Sequence, residues 1–446
     1  METYEVVIEL LQNKNWKALK ELLDEMNEQD IAEIFMELEE RELTLIYRLL
    51  NKELAAEVFV NMEPEYQEQL IRAFSDSELR EVLDELYVDD AVDLIEEMPS
   101  SLVKRILKHT DPETRKSINE ILKYPEDSAG SIMTIEYVDL KRSMTVADAF
   151  MRIRRTGVDK ETIYTCYVTD SKRKLKGVVT VKELLLADEN ATIREIMEDN
   201  VISVNTSEDK EVVADLFDKY DLLALPVVDK ENRLVGIITV DDAIDVMQEE
   251  VTEDMELMAA ITPTDKPYLK MSVFENFKKR IPWLMLLMVS ATFTEKIITH
   301  FEGALTSCVV LTAFIPMLTG TCGNCGNQSS STIIRGISLG EIEFKDTFKV
   351  VFKEFSIALI CGLALAVVNF AKLMIFNNIG WKIALVVSIT MIAAVVFAKV
   401  VGSILPVVAK KIGFDPAVMS SPFISTIVDA VTLLIYFFIA SSLLNL

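Results

Sequence analysis

A single carboxylate, Asp429, stands in an otherwise uncharged apolar run at 420–443. A carboxylate at bilayer depth costs about 2.5–3.5 kcal/mol on insertion scales, so such a residue usually faces a water-filled path or a bound ion. The plainer alternative is a protonated carboxyl that acts as packing glue. Ser421 and Ser425 precede Asp429 at intervals of four, which puts all three on one helix face. The result is a polar stripe along an apolar helix. Upstream, glycines are interleaved with Asn324 and Asn327 in the run Gly320-Thr-Cys-Gly323-Asn-Cys-Gly326-Asn327. Glycines there permit irregular backbone, which a membrane tolerates only where it lines a cavity or is buried in protein.

Other chemistries find little support. Cys322 and Cys325 have a redox or zinc spacing, but zinc needs more nitrogen or sulfur ligands and the chain has 2 His. No phosphate-binding P-loop, zinc-protease motif or nucleophile–histidine pair is present, with His109 and His300 the available bases. The expectation is that the protein is not an enzyme. The 5 Cys are scattered and form no disulfide framework. The segment 1–11 is acidic and lacks the basic start of a signal peptide.

The 446 residues exceed one domain, and the net charge of −26 conceals a split. Residues 1–270 hold 32 Lys/Arg against 62 Asp/Glu, a net −30; residues 271–446 hold 13 against 9, a net +4. An acidic soluble portion argues against nucleic acid and favours cations as partners. The apolar portion divides into five stretches long enough to cross a bilayer, at 282–298, 304–320, 354–376, 381–406 and 420–443. With the N-terminus in the cytoplasm, ten Lys/Arg fall in inner connections, Lys399 among them, and three (Lys296, Lys372, Lys382) fall outside. That bias sets the N-terminus inside and the C-terminus outside a cell membrane. Ala394, Ala398 and Gly402, like Gly362 and Ala366, repeat every four residues and predict close helix packing.

The soluble portion contains two repeats. Ile34, Ile46, Val58, Leu70, Val82, Leu94 and Ile106 recur every twelve residues, each followed by another apolar residue. This predicts a solenoid of short helices over 1–123. The stretch Tyr124-Pro-Glu-Asp-Ser-Ala-Gly130 reads as a linker. Then Tyr167-Val-Thr-Asp170 before 175–183 is echoed 59 residues later by Pro226-Val-Val-Asp229 before 234–242. Each copy is a pair of short strands with flanking helices. The pair at 131–242 resembles a tandem CBS domain, and Gly236, Thr239 and Asp242 fit its adenosine-binding spacing. The first copy has Gly177, Thr180 and Glu183. An acidic helical segment at 243–270 joins this pair to the spans at 271–446.

A helical solenoid, a linker, a CBS pair, an acidic connecting helix and five spans resemble the MgtE family of magnesium channels over the whole chain. The specific matches are Arg280-Ile-Pro-Trp-Leu284, the run Phe314–Ser329, Asp415-Pro-Ala417 and Pro422-x-x-x-Thr426-x-x-Asp429. In the second run Cys322 takes the place of the first glycine of the family's Gly-Gly-Asn core. The resemblance implies a multidomain fold. It consists of an all-α superhelical N domain, an α+β tandem CBS domain, a connecting plug helix and an all-α membrane domain of five transmembrane helices. It also implies a homodimer in membrane lipid with its pore on the two-fold axis. There Asp429 of each subunit holds hydrated Mg²⁺, and Gly320, Gly323, Asn327, Ser421 and Ser425 line the path. The ion chemistry agrees, since Mg²⁺ keeps its waters and is bound by one or two carboxylates.

By the same resemblance, cytosolic Mg²⁺ closes the channel. It does so by bridging Asp90 and Asp93 of the solenoid, Asp209 and Asp221 of the CBS pair, and Asp242, Asp245, Glu250, Glu253 and Asp254 of the connecting helix, with Asp415 at the inner mouth. ATP in the CBS pair is a further implication. The alternatives are a secondary transporter that exchanges a divalent cation for H⁺ or Na⁺ through Glu295, Glu302 and Glu354, and a membrane-anchored nucleotide sensor. The second leaves Asp429 without a role.

Overall fold

The computed structural model describes residues 2–264, 266, 268–269, 271–376, 379–419 and 421–444; the side chains of residues 2, 159 and 421 lie outside the description. The chain forms two compact units, Met1–Met247 and Gln248–Leu446.

In the first unit, short helices follow one another from Glu2–Gln12 to Pro112–Ile121. Side-chain caps start many of them. Asn27 and Asn51 accept from backbone N–H groups, and Ser75 forms a capping box with Glu78. The twelve-residue period is one helix plus its turn. Val58, Leu70 and Ile106 are fully buried, and the other members of the series are at most 9% exposed. One of these helices, α1 (Val88–Glu97), carries the acidic end of the solenoid.

The two CBS copies form matching sheets. Strands β1 (Asp139–Lys141), β2 (Thr165–Thr169) and β3 (Leu175–Thr180) make one, and β4 (Val204–Asn205), β5 (Ala224–Val228) and β6 (Leu234–Thr239) the other. In each, the first pair is parallel and the second antiparallel, with a register shift at the same place, Val168/Thr169 and Val227/Val228. Helix α2 (Val240–Met258) carries the chain from the first unit into the second. Helix was expected to persist to the end of the connecting segment, but it stops at Met258. Ala260 adopts φ 55°, and Ile261 N–H folds back to the Glu256 carbonyl. Thr262 then precedes Pro263, a position that disfavours helix.

Five helical spans are long and apolar enough to cross a membrane: Val273–His300, Val309–Ser338, Phe344–Ile375, Trp381–Lys411 and Pro416–Leu444. Their main helices are α3 (Val273–His300), α4 (Ile315–Ser338), α5 (Thr347–Ile375), α6 (Trp381–Lys411) and α7 (Ser421–Leu444). The second span differs from the one read off hydropathy, which ended at 320. The glycine- and asparagine-rich run does not interrupt the helix. It lies in the middle of α4, so the expected irregular backbone is absent there. Gly326 of this run serves close approach instead. A Cβ on Gly402 of α6 would collide with the backbone of Gly326, and one on Gly326 would sit 2.9 Å from Ile424 Cγ2 of α7. Cys322, buried within this helix, disturbs no turn.

Lys399 also moves. It belongs to no connection; it lies well inside α6 and is buried, so nine of the ten basic residues expected on the inner side remain in that tally, against three. Because α4 and α6 touch backbone to backbone, Gly402→Ala is expected to cost about 1–3 kcal/mol through overpacking. A thermal melt of the detergent-solubilised protein would register it.

Candidate functional site

Helices α4 and α7 bring the polar residues of the spans together. Asn327 Nδ2 donates to Ser425 Oγ at 3.3 Å. One helical turn away, the position a Cβ on Gly323 would take is 3.6 Å from Ser425 Oγ and 4.0 Å from Asp429 Oδ1. Gly323 therefore keeps the face of α4 open beside that carboxylate. Asp429 is half-buried, and among the described residues no basic side chain pairs with it. Asn327 Oδ1 is buried without a hydrogen-bond partner. Gly320, a turn further along α4, is exposed with open space beside it. Ser421 opens α7, but its side chain lies outside the described residues. Four of the six expected pore positions thus share one locus: Gly323, Asn327, Ser425 and Asp429.

A second locus lies in the first unit. Asp90 and Asp93 of α1 meet Asp242 at the start of α2. Burial first, and the Asp242 carboxylate second, push both Asp90 and Asp93 up to about 7. Burial likewise pushes Asp242 to about 6. Sequence reasoning missed Glu161. Glu161 is pushed to about 8 by burial and then by Asp90, while Asp89 is raised well above its ordinary value by burial and then by Asp90. Glu136 and Asp241 add to the same negative field. Asp89 Oδ1 and Glu161 Oε2 are buried with no hydrogen-bond partner. Among the described residues no three acidic, His or Cys side chains are already gathered as a ligand set. The locus nonetheless fits a cation: buried carboxylates crowd one another and two of their oxygens lack donors. No sequence signal links Glu161 to Asp90; only the packing of the solenoid on the CBS pair does.

Of the remaining acidic positions, Asp245 adds to the negative field at Asp242 and Glu253 to that at Asp254. Asp209 caps the helix Lys210–Tyr220 by accepting from Glu211 N–H at 2.9 Å, and Asp221 ends that helix in the left-handed conformation at φ 51°. They therefore sit a helix length apart. Asp245, Glu250 and Glu253 lie along α2. In the second unit Asp254 faces Asp415, and its carboxylate is hydrogen-bonded to Ser338 at the last turn of α4. Burial, then Asp415, push Asp254 up to about 6. Asp415 accepts from Ala417 N–H at 2.7 Å, which shapes the turn before α7.

The CBS positions have local duties as well. Thr239 Oγ1 donates to Asp242 Oδ2 at 2.6 Å, and Thr180 to Glu183 Oε2 at 2.8 Å, so the repeated spacing caps a helix in each copy. A Cβ on Gly236 would lie 2.5 Å from the Thr134 carbonyl oxygen, so that glycine lets two backbones meet.

Comparison with known proteins follows this layout. The MgtE divalent cation transporter family matches residues 315–439, the MgtE intracellular N domain 26–127, and the CBS domain 129–190 and 193–249. A Thermus thermophilus protein named magnesium transporter MgtE is 36% identical over 408 residues, 90% of this chain and 89% of its own length. A Bacillus subtilis protein of the same name is 33% identical, covering 86% and 84%. Among solved structures, the cytosolic domain of the Mg²⁺ channel MgtE in complex with ATP matches at 40% identity and a TM-score of 0.52, over 55% of this chain and 99% of that one. These two MgtE relatives are named as magnesium transporters, not as enzymes. With matches across the helical domain, the CBS pair and the spans, the chain is a multi-pass membrane protein and belongs to the MgtE family.

Proposed function

We propose that this protein conducts Mg²⁺ into the cytoplasm as a homodimeric channel closed by cytosolic Mg²⁺, with its N-terminus inside and its C-terminus outside. The observation that carries the reading is the locus around Asp429: an intramembrane carboxylate with no basic partner among the described residues, beside Gly323, Ser425 and Asn327. A two-fold axis supplies a second carboxylate, and two carboxylates with retained water suit a hydrated Mg²⁺. Exposed apolar side chains on the CBS pair, Tyr164, Leu185, Leu186 and Leu223, suit burial against a second copy. The solenoid–CBS locus and the Asp254–Asp415 pair are the closing sites. At each, Mg²⁺ relieves repulsion between carboxylates.

Proton-coupled exchange is the rival. Glu354, one of its three candidate relays, is buried and ion-paired, whereas Glu295 and Glu302 are exposed. Flux into proteoliposomes with and without H⁺ and Na⁺ gradients separates the readings. A channel passes Mg²⁺ without either gradient, and an exchanger does not. The matched ATP complex also motivates ATP binding to the CBS pair, with Gly236, Thr239 and Asp242 as second-copy candidates. Calorimetric titration of ATP into the wild type and Thr239→Ala tests that.

The acidic locus fixes a pH dependence. Its carboxylates titrate near 4 in the unfolded chain but at about 6 to 8 when folded. The folded unit therefore holds protons that the unfolded chain releases. Their contribution is full below pH 4 and is lost as pH rises through 6 to 8. Mg²⁺ replaces those protons, so its shift of the melting temperature is expected to be larger at pH 8 than at pH 5.5. Equal shifts at both values would remove the locus as a Mg²⁺ site.

A further inference from the structure

The pore locus leaves one charged cluster inside the spans unexplained. Lys399 of α6 and Glu354 of α5 have side chains only 6% and 10% exposed, with Nζ and Oε2 3.6 Å apart. Lys399 donates to Ser329 Oγ of α4 at 3.2 Å, and Ser329 donates to Glu354 Oε2 at 2.5 Å. Three helices close a ring around one hydroxyl.

Its place on α4 gives it meaning. Ser329 stands two residues from Asn327, which donates to Ser425. Its neighbour Ser330 donates to the Met419 carbonyl at 3.3 Å, in the turn that leads into α7. Elsewhere α4 meets α6 through Gly326 against Gly402, a crossing without protruding side chains, through Ile333 and Ile337 clustered with Val407, and through Lys410 Nζ donating to the Ile337 carbonyl at 3.4 Å. The glycine crossing allows close approach and the apolar contacts are non-directional, so neither alone singles out one axial position against sliding along the helix axis. A directional ring of a charge pair and a hydroxyl does resist it. A buried charge pair is a poor source of stability but an attested means of fixing register. A slip of one turn would move Asn327 by about 5.4 Å relative to Ser425.

We propose that Lys399, Glu354 and Ser329 are positioning residues. They hold the axial register of α4, so that Gly323 and Asn327 stay opposite Asp429 and Ser425, and thereby set selectivity for a hydrated divalent cation. This rests on the channel reading above. The ring touches no ion and acts through α4.

The test uses the full-length protein in proteoliposomes, with Mg²⁺ and Na⁺ flux per folded protein and the half-saturating Mg²⁺ concentration as readouts. Lys399→Met and Glu354→Gln each strand one buried charge, and each is expected to raise half-saturating Mg²⁺ about tenfold and admit Na⁺. The pair Lys399→Met/Glu354→Gln, which strands none, is expected to recover most of the loss. If the single variants fold poorly, Ser329→Ala and Glu354→Asp provide milder versions with the same readouts. A merely structural ring would lower the yield of folded protein and leave selectivity per molecule unchanged, and that result would overturn the proposal. So would singles that match the wild type, or a double no better than either single.

A second readout does not depend on transport. In a chain whose 5 native Cys are replaced by alanine, the pair Asn327→Cys/Ser425→Cys is expected to form a disulfide readily. Adding Lys399→Met should slow it about tenfold, as expected for two thiols moved out of reach. An unchanged rate refutes the register claim even if the wild type passes no Mg²⁺, an outcome that would instead refute the channel reading.

Discussion

Asp429→Ala is expected to cut Mg²⁺ uptake severely while leaving a folded protein in the membrane. Both halves of that expectation follow from the surroundings of the carboxylate. Among the described residues no basic side chain depends on it, so removal strands no opposite charge. It also relieves the chain of a carboxyl that costs about 2.5–3.5 kcal/mol at bilayer depth. Truncating one side of a desolvated charge contact with its partner costs about 2–5 kcal/mol, and each 1.4 kcal/mol is tenfold. Flux is therefore expected to fall by about thirtyfold to a few thousandfold. Asp429→Asn is the sharper control, because it keeps the shape beside Gly323 and removes only the charge. Uptake by a transport-deficient strain, with a melting curve of each purified variant, checks both halves. Intact uptake and selectivity in either variant would refute the pore assignment.

How far the sequence could be read depended on whether the cue was local. Val58 and Leu70 are fully buried because a twelve-residue period is carried by each helix and its own turn. Asp429 was visible because one charge in an apolar run needs no tertiary information. The second span was misread for a related reason. Gly320, Gly323 and Gly326 look like helix breakers when counted by propensity, yet all three lie within α4, where Gly326 lets Gly402 and Ile424 come close and Gly323 leaves room beside Ser425 and Asp429. Lys399 was counted in a connection because a charge tally has no term for a partner on another helix, and Glu354 supplies that partner only once α5 packs on α6. Glu161 was invisible for the same reason. Its neighbours Asp90 and Asp242 come from distant parts of the chain, and nothing in the residues around it marks it as part of a cation site. Cues written within one helix or turn survive in a sequence, whereas charges that meet across elements do not.

Neutralising Asp90, Asp93 and Asp242 to asparagine is expected to leave about a quarter of the channels open at millimolar cytosolic Mg²⁺, where the wild type is closed. The energetics favour several weak sites over one strong one. Moving a gate from 1:99 to 99:1 takes about 5.5 kcal/mol of differential binding. A site at about five times its dissociation constant contributes about 1 kcal/mol, so about five such sites per gate suffice. Emptying this one locus in both subunits removes two such sites, about 2 kcal/mol, and the closed fraction falls from about 99% to about three quarters. The three substitutions also remove carboxylates that repel one another, so the variant is expected to be at least as stable as the wild type without Mg²⁺ and to gain less when Mg²⁺ is added. Asp254→Asn probes the other locus. It removes the carboxylate that faces Asp415 beside Ser338, and it is expected to shift the closing concentration upward without altering the pH dependence of the solenoid–CBS melt. Patch recordings across a range of cytosolic Mg²⁺ distinguish the two loci. A triple variant that closes at the wild-type concentration would show that closure is driven elsewhere, while the assignment of Asp429 to the pore would stand.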